Sequence, residues 1–521
     1  MAKRTKPLGF LEVLVRSTLV FVALLGFVST PACTVALDFD DECSADGDCA
    51  TLGAGLRCDE GFCVKKALIE PAPCATCEAN SGCDRLYGED PRLVPADSIV
   101  TLGTLLPRSG ALGAFGEAMD NGVRLAVSEI NQSGGVLGKK LAVISCDDGT
   151  DADQGERATR HLADVAGVKA IIGGGASGVT IEAFNRVAKA ARILMMSPSA
   201  TSPAITNLPD DGLLWRTAPS DAVQGRAIAE YLVRRNFKKV AIVNRNDAYG
   251  NGLSTAIQQQ LCTAPTFACT VDTFMNRLYS DQVGALQTED QAKALSEVIA
   301  FTPDAVILIA YVQDGVGFMN LASGKGLRFI LTDGTRDVAL LGRSENQPGV
   351  NDRAILCTLV GTNPASPSGE LYNAFALKYD ANFKAPPGTF AANSYDAAYL
   401  IALAYAAARG AGNLDPDGRA LAEGLTRLSS GNRIEVGVQS FGTALTALSG
   451  AGDSTVDVVG VSGPLDFDST TGEAPSGIEM WRFDNALNLI TNLGVVYDGQ
   501  TSYTFDAVLQ DPPGGACGGG R

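Results

Sequence analysis

The feature that most constrains the fold is a regular alternation of apolar strands and amphipathic helices that begins near residue 97. Residues 98–106 form an apolar strand, and 113–135 place Phe115, Met119 and Val123 at helical spacing before a glycine pair ends the helix. Further strands at 141–146, 168–173 and 193–198 alternate with helices in the same order. A β-then-α order with a period of roughly thirty residues predicts a parallel sheet covered on both faces.

The same alternation restarts after Pro219 and predicts a second lobe. A helix at 221–237 and a strand at 239–244 begin this second unit, and later strands are expected at 354–360 and 464–468. These late elements predict that the chain crosses between the lobes three times. The predicted crossings lie near Pro219, near residues 350–356 and near Gly463.

The predicted fold class is therefore α/β, with two Rossmann-like lobes that contain parallel sheets and are joined by a three-crossing hinge. A signal segment and a cysteine-rich, disulfide-bonded spacer precede the lobes. The predicted boundaries are a signal peptide at 1–32, the spacer at 33–95, lobe 1 at 96–218 plus 357–462, lobe 2 at 219–356 plus 463–505, and a flexible tail at 506–521.

The first 32 residues have the pattern of a targeting segment. Lys3, Arg4 and Lys6 precede an apolar run that is too short for a comfortable membrane span, and small residues end it. Because Cys33 follows these small residues directly, the pattern predicts a lipoprotein-type signal peptide with lipidation at Cys33. The alternative is an ordinary secretory signal that leaves Cys33 as a spare thiol.

Cysteine usage indicates an oxidising compartment. The chain has 13 cysteines, and seven of them crowd into residues 43–83, which contain too few apolar side chains to bury a core. Because seven is odd, one of them is expected to pair with Cys146, Cys357 or Cys517, and Cys262 and Cys269 are close enough to close a small loop. Zinc at the Cys74–Cys77 CxxC is the competing interpretation.

Charge and histidine content exclude several function classes. With 58 acidic and 41 basic residues the net charge is −17, so phosphate backbones would repel the chain and no nucleic-acid partner is expected. His161 is the one histidine in the sequence, which leaves little basis for a metal site or a catalytic triad. No nucleophile–base pair is visible, so we expect neither an enzyme nor a metal or cofactor.

A glycine motif between strand and helix has two interpretations. Gly173, Gly175 and Gly178 spell GxGxxG, which is typical of dinucleotide binding. The motif follows the third strand instead of the first, however, and the next strand ends in Ser197, where a ribose-binding carboxylate would be needed. The favoured interpretation is a set of backbone N–H groups at a helix start that holds a small anion such as a carboxylate.

Seven stretches between about residues 97 and 505 resemble the leucine/isoleucine/valine-binding family of periplasmic solute-binding proteins, which serve ABC importers and have the type I periplasmic-binding fold. They occur in the family's order: LLPRSGALGAFGEAMDNGVRLAVSEINQSGGVLGKKL, CDDGTD, IIGGGASGVT, MMSPSATSPAIT, LWRTAPSDAVQG, NDAYGNGL and SGPLDFD. The resemblance implies a monomer in the periplasm or cell envelope that captures an amino acid by hinge closure and delivers it to an ABC permease in the inner membrane. The signal-peptide pattern adds a lipid anchor at Cys33 to this expectation. A sensor that presents its ligand to a signalling partner is the alternative, as is a binder of amides or aromatic acids.

The resemblance also implies which residues bind the ligand. Ser177 would bind the carboxylate, Ser199 would supply a carbonyl, and Thr201 would contact both the carboxylate and the ammonium group. The remaining implied contacts are two closing tyrosines, an acidic partner for the ammonium and an aromatic wall, at Tyr249, Tyr311, Asp333 and Phe115.

Elementary chemistry supports this arrangement, since a zwitterion needs hydrogen-bond donors at one end and an anion at the other. Helix capping at Ser177 and Thr201, and a turn at Asp333-Gly334, remain the alternatives. Where the family has bulkier groups this chain has Gly174, Gly175 and Ala176, so a wider side-chain pocket is expected. Asp333 is also one methylene shorter than the family's usual glutamate.

Overall fold

A computed structural model describes residues 71–342, 349–365, 369–450, 454–484 and 489–497, together with the backbone of two short strands nearer the N-terminus. The predicted signal peptide at 1–32, Cys33 and the tail at 506–521 lie outside these residues. The chain divides into two compact units, Met1–Ala67 and Leu68–Arg521. In the first unit, strands β1 (Leu56–Asp59) and β2 (Phe62–Lys65) pair as an antiparallel hairpin.

The second unit begins with a seven-stranded sheet. Its strands are β3 (Ala72–Pro73), β4 (Cys83–Gly88), β5 (Ile99–Leu106), β6 (Lys140–Asp147), β7 (Ala170–Gly173), β8 (Leu194–Ser197) and β9 (Leu214–Arg216). The helices among them are α1 (Gly113–Gln132), α2 (Ala152–Arg160), α3 (Ser177–Ala183) and α4 (Pro203–Thr206). The order is β3-β4-β6-β5-β7-β8-β9, and β5 to β9 run parallel. This confirms the predicted parallel sheet.

A second seven-stranded sheet follows in the order β11-β10-β12-β13-β14-β18-β19, with β18 and β19 antiparallel at one edge, and β15 to β17 form a small separate sheet. The strands are β10 (Val240–Arg245), β11 (Phe274–Tyr279), β12 (Ala305–Ile309), β13 (Phe329–Leu331), β14 (Val360–Pro364), β15 (Asn432–Glu435), β16 (Val456–Gly460), β17 (Gly463–Pro464), β18 (Ile478–Asp484) and β19 (Leu489–Tyr497). The helices are α5 (Asp221–Arg234), α6 (Ala248–Thr263), α7 (Ala285–Phe301), α8 (Val312–Leu321), α9 (Arg353–Thr358), α10 (Glu370–Phe383), α11 (Ala391–Gly410), α12 (Gly418–Leu425) and α13 (Val438–Ser449).

The predicted spacer at 33–95 extends too far, because its last part belongs to the first sheet. Strand β4 pairs antiparallel with β6, and Leu86 and Tyr87 are buried in the core. A disulfide joins Cys83 to Cys146 across the same strand pair. The expected pairing of one crowded cysteine with a partner in the main body is therefore confirmed, and it ties this edge of the sheet covalently to its neighbour.

Two further disulfides bear on the sequence interpretation. Cys262 and Cys269 are bonded as expected. Cys74 and Cys77 are bonded to each other, so neither has a thiolate to offer and the zinc alternative at this CxxC is wrong.

The chain changes sheets later than predicted at two of the three crossings. Most of the strand expected at 354–360 is a helix instead: the Asp352 carboxylate accepts a hydrogen bond from the Ala354 N–H and starts helix α9, which ends at Thr358. The strand of this region is β14, which belongs to the second sheet, so the crossing lies between Pro364 and Glu370. Glu473 still bridges to β9, which places the last crossing after Glu473 instead of at Gly463.

The two-lobe division stays a proposal with these shifted boundaries. Residues 357–365 go with the second lobe, because β14 pairs with β13 and β18. Residues 463–473 go with the first lobe, since Glu473 contacts its last strand.

Helix α11 forms the centre of the first lobe. It is apolar on all sides, and its residues from Ala391 to Ala408 are almost all buried, as expected for a helix with no polar face. Glu129 of α1 accepts hydrogen bonds from Tyr395 and Tyr399 on α11, so the buried polar groups satisfy one another. Within the residues described, no helix is both long and apolar enough to cross a bilayer.

Gly122 allows α1 to lie directly against the start of α11, and Gly122→Ala tests this contact. A Cβ at Gly122 would lie 2.3 Å from the Ala391 carbonyl oxygen, a backbone atom that has little freedom to move. We expect a loss of about 1–3 kcal/mol in the free energy of unfolding, measured by urea denaturation.

Gly442→Ala in α13 is the matched control for this prediction, because a Cβ there meets no atom within 4 Å. That variant should be neutral or slightly more stable than the wild type, since alanine favours helix over glycine. Equal effects of the two substitutions would contradict the proposed packing.

Candidate functional site

A small cavity lies between the two large sheets, where the carboxyl ends of their parallel strands face each other. Six of the seven predicted ligand-binding residues line it: Ser177, Ser199, Thr201, Tyr249, Tyr311 and Asp333. Leu112, Gly175, Ala176, Gly334 and Phe390 complete the lining. Open α/β sheets bind their ligands at this edge, so the topology alone selects this place.

The first-lobe wall comes from the loops after β7 and β8. Ser177 is the first residue of α3, and its hydroxyl oxygen accepts a hydrogen bond from the Ser202 N–H at 3.2 Å. A hydroxyl that accepts keeps its own O–H for a further bond. The Ser199 hydroxyl donates to the Gly175 carbonyl, and the Thr201 hydroxyl donates to Asp221. In this arrangement, therefore, the Thr201 O–H would have to exchange partners to reach a ligand carboxylate.

The second-lobe wall comes from the ends of β10, β12 and β13. The Tyr249 hydroxyl donates to Asp333 at 2.9 Å, and its ring stacks on Tyr311 with centroids 5.5 Å apart. Behind Tyr311 lies the Arg245 guanidinium, 3.8 Å from the ring centroid, held by an ion pair with Asp314. Burial and the neighbouring Asp333 raise the pKa of Tyr249 well above its usual value, so both tyrosines stay protonated as hydrogen-bond donors.

A second carboxyl, Asp221, lies beside Asp333, and sequence reasoning missed it. Asp221 starts α5 and is fully buried, and its Oδ1 has no hydrogen-bond partner among the described residues. Burial raises the pKa of Asp221 well above its usual value, and the charge of Asp333 raises it further. The only sequence signal was Ser220-Asp221 at a helix start, which reads equally well as a cap.

The Asp221–Asp333 pair favours a positively charged partner. Burial also raises the pKa of Asp333, although hydrogen bonds donated by Tyr249 and Gln224 offset part of that shift. Two buried carboxylates repel each other, and each loses its hydration. A cation placed between them would remove both penalties. The arrangement therefore suits an ammonium group on this side of the cavity.

A buried arginine holds the first-lobe loop in place. Arg216 of β9 donates to the Ala200 and Ser202 carbonyls and forms an ion pair with Glu473. These contacts fix the backbone on both sides of Thr201. Sequence reasoning did not single out Arg216, because nothing in its local pattern distinguishes it from a surface arginine at the end of a strand.

The seventh predicted ligand-binding residue, Phe115, does not line the cavity. Phe115 is the third residue of α1 and is buried in the core. Leu112, three residues earlier, lines the cavity. Besides the two tyrosines, the lining contains the aromatic ring of Phe390, just before α11. Because Phe390 is more than two hundred residues away in sequence, the local pattern around Phe115 could not reveal it.

The structure gives Gly175, one of the three small residues at which a wider pocket is expected, a role in packing. A Cβ on Gly175 would lie 2.3 Å from the Pro107 side chain, so the missing side chain makes room for proline and not for a ligand. The GxGxxG spacing is therefore explained here by packing at its central glycine.

The two walls are closed on each other. The cavity has a volume of about 10 Å³, room for roughly one water molecule. The Ser202 hydroxyl of the first lobe donates to the Ala248 carbonyl of the second at 2.7 Å. An amino acid is much larger than one water, so entry of such a ligand requires the lobes to separate.

Residues 99–443 match the sequence model of the family described as periplasmic binding protein. The chain belongs to the periplasmic binding protein family. The match covers both walls of the cavity, and the family is one of binding proteins, which agrees with a cavity that gathers hydrogen-bonding groups.

Among curated relatives, this periplasmic binding protein is similar to the Leu/Ile/Val-binding protein BraC3 of Rhizobium johnstonii. The two are 36% identical over 168 residues, which are 32% of this chain and 45% of the relative. The chain thus spans a little under half the length of the curated relatives that it matches.

Two solved structures show the same fold over the full length of the partner. The substrate-binding protein LivJ of Streptococcus pneumoniae, in complex with isoleucine, is 22% identical with a TM-score of 0.60, over 77% of this chain and 99% of LivJ. A solute-binding protein of Rhodopseudomonas palustris, in complex with 3,4-dihydroxybenzoic acid, is 18% identical with a TM-score of 0.59, over 77% of this chain and 98% of that protein. At these identities the likeness extends to the fold alone.

Asp148 makes the stability of the site loop depend on pH, and Asp148→Asn tests this dependence. Asp148 is buried and accepts hydrogen bonds from the Thr150 and Gly175 N–H groups, and burial raises its pKa to about 7. Because this pKa is raised on folding, the associated stability is present at low pH and is lost as pH rises through 7.

We expect the wild type to lose unfolding free energy relative to Asp148→Asn between about pH 4 and 8, by at most about 1.4 kcal/mol per pH unit. Urea denaturation at several pH values measures the difference between the two proteins. Burial also raises the pKa of Asp396 to about 7. Because both proteins contain Asp396, its contribution cancels in the difference between their unfolding free energies. Parallel stability curves would contradict this role of Asp148.

Proposed function

We propose that this chain is an extracytoplasmic solute-binding protein that captures a small amino acid or related zwitterion by lobe closure and delivers it to an ABC importer. The observation that carries the proposal is the opposition of two kinds of group across one cavity. Hydroxyl and N–H donors at Ser177 lie on one wall, and the carboxyl of Asp333 lies on the other, with Asp221 buried nearby and hydrogen-bonded to Thr201. A zwitterion matches both walls at once.

The relatives support the same ligand class. BraC3 is named for leucine, isoleucine and valine, and an "amino acid binding protein" of Pseudomonas aeruginosa is 32% identical over 163 residues, 31% of this chain and 43% of that relative. The fold also occurs in a protein solved with dihydroxybenzoic acid, so an aromatic acid is the second candidate ligand. An acid without an ammonium group would leave the Asp221–Asp333 pair uncompensated, which favours the amino acid.

Capture would proceed by closure of the lobes around the ligand. The carboxylate docks at the first-lobe wall, and Tyr249, Tyr311 and Asp333 then arrive with the second lobe. Closure is driven only by contacts that the ligand makes better in the closed state. To move the population from 1:99 to 99:1, that preference must be worth about 5.5 kcal/mol.

Asp333→Asn separates recognition of the ammonium from recognition of the carboxylate. We expect the variant to bind leucine at least tenfold more weakly, because the anion facing the ammonium is lost. Binding of 4-methylpentanoate, which lacks the ammonium, should change less than threefold. Isothermal titration calorimetry measures both affinities.

Ser177→Ala is the comparison variant for this test. It removes a donor from the carboxylate side and should therefore weaken both ligands by similar factors. An equal loss of both ligands in Asp333→Asn would remove Asp333 from the ammonium role.

Gly252→Ala tests closure itself. Gly252 on α6 faces the first lobe, and a Cβ there would lie 2.5 Å from the Ser202 Oγ and 3.0 Å from the Pro203 Cδ. We expect this variant to keep its melting temperature but to bind leucine several-fold more weakly, with a larger radius of gyration in the presence of ligand by small-angle X-ray scattering. Unchanged affinity and unchanged compaction would show that the lobes need not approach as closely as here.

A further inference from the structure

The carboxyl of Asp333 is held by two side-chain donors that bind the same oxygen. The Gln224 amide nitrogen donates to Oδ1 at 3.0 Å, and the Tyr249 hydroxyl donates to Oδ1 at 2.9 Å. No further side chain of the described residues donates to Asp333, and its Oδ2 is not one of their enclosed atoms without a partner. Because Asp333 lines the cavity, this leaves Oδ2 for a ligand cation.

The orientation of the Gln224 amide follows from the groups around its nitrogen. Nε2 lies 3.0 Å from Asp333 Oδ1, 3.0 Å from the Thr362 hydroxyl and 3.5 Å from the Thr362 carbonyl oxygen. A carbonyl and an ionised carboxyl have no proton to give, so the amide must present its N–H groups to them. Gln224 is 1% exposed, and solvent therefore does not compete for these bonds.

Gln224 connects Asp333 to both chain segments that lead to the hinge. Gln224 itself lies on α5, which begins just after the first crossing near Pro219. Thr362 lies on β14, which ends at Pro364, where the second crossing begins. The Asp333 carboxyl is therefore fixed against two elements of the second lobe besides its own strand end.

A second residue on the same helix face acts on Asp333 with the opposite sign. Asp221 precedes Gln224 by three residues on α5, so the two side chains share a face of the helix. The charges of Asp221 and Asp333 repel each other, whereas Gln224 donates a hydrogen bond to Asp333. That hydrogen bond also lowers the pKa of Asp333 against the rise caused by burial. The donor thus both orients the carboxyl and favours its charged form.

We propose that Gln224 is a positioning residue for recognition of the ligand's ammonium group. It holds Oδ1 of Asp333, so that Oδ2 is presented to the cavity as the anionic contact. This inference rests on the proposed function and adds to it a residue that does not line the cavity.

Gln224→Met removes the donor at nearly constant volume and tests this role by calorimetry on the whole protein. The ligand is whichever of leucine, alanine and phenylalanine binds the wild type most tightly. It is compared with its analogue that lacks the ammonium: 4-methylpentanoate, propanoate or 3-phenylpropanoate. We expect the amino acid to bind at least fivefold more weakly and the analogue to stay within twofold. An equal loss of both ligands would overturn the proposal.

Gln287→Met is the matched control. Gln287 is also buried, at 8% exposed, and its amide nitrogen donates to the Ser280 carbonyl at 3.1 Å, away from the cavity lining. Loss of a buried amide there should leave the affinities for both ligands within twofold of the wild type. A selective loss of the amino acid in Gln287→Met as well would contradict a specific role of Gln224.

A double-mutant cycle distinguishes action through Asp333 from a general structural effect. In the Asp333→Asn background, Gln224→Met should change amino-acid affinity by less than twofold, because no anion remains to be positioned. A further fivefold loss in that background would show that Gln224 does not act through Asp333.

Thr362→Val gives an independent variant if Gln224→Met does not fold. It removes one acceptor that holds the amide, and we expect a two- to fourfold loss for the amino acid alone. An unchanged amino-acid affinity, or an equal loss of both ligands, would count against the proposal.

The two proposals fail in different ways. If an amino acid binds the wild type but Gln224→Met does not discriminate between it and its analogue, Gln224 has no positioning role and capture of amino acids stands. If none of the three amino acids binds the wild type, the proposed function fails and the role of Gln224 fails with it.

Discussion

The burial of two neighbouring carboxyl groups, Asp333 in the second-lobe wall and Asp221 hydrogen-bonded to Thr201, is the constraint on which the rest of the site depends. Asp333 receives hydrogen bonds from Tyr249 and Gln224, whereas the single side-chain donor recorded for Asp221 is Thr201. Burial raises the pKa of both carboxyls, so the pair favours a bound proton over two negative charges. A ligand cation that replaces this proton lets both groups ionise. Burial of the two carboxyls thus raises the free energy of the site without a cation, and for the same reason it favours binding of a positively charged group.

Two buried arginines hold the loops of the two walls in place. Arg216 binds the carbonyls around Thr201 on the first lobe, and Arg245 supports the ring of Tyr311 on the second. Each arginine is neutralised within its own lobe, by Glu473 and by Asp314. Because neither pair spans the cleft, opening the lobes breaks no buried ion pair at these positions. The Ser202 to Ala248 hydrogen bond, by contrast, does join the two walls.

The sequence predicted the sheets and most of the site for a clear physical reason. Strand-to-helix alternation determines which residues follow the carboxyl ends of strands, so Ser177, Tyr249 and Asp333 could be placed at one edge from local pattern and resemblance. Residues whose role depends on distant packing could not be found in this way. Asp221 looks like a helix cap, and the space at Gly175 is filled by Pro107 from another loop. The crossing after Pro364 was misplaced because the apolar run before it forms a capped helix, although its composition equally fits a strand.

The position of Phe390 shows how a core contact can determine the ligand wall. The Ala391 carbonyl approaches Gly122 on α1, at a place where only glycine leaves room, and Ala391 is the residue directly after Phe390. Asn393, one turn into α11, donates to the Thr217 carbonyl beside the first crossing, and the Thr217 hydroxyl donates back. The start of α11 is therefore fixed by two contacts, one with Gly122 of α1 and one with Thr217 beside the first crossing between the lobes. A substitution in either contact would move the Phe390 ring that lines the cavity, although neither contact is itself part of the cavity lining.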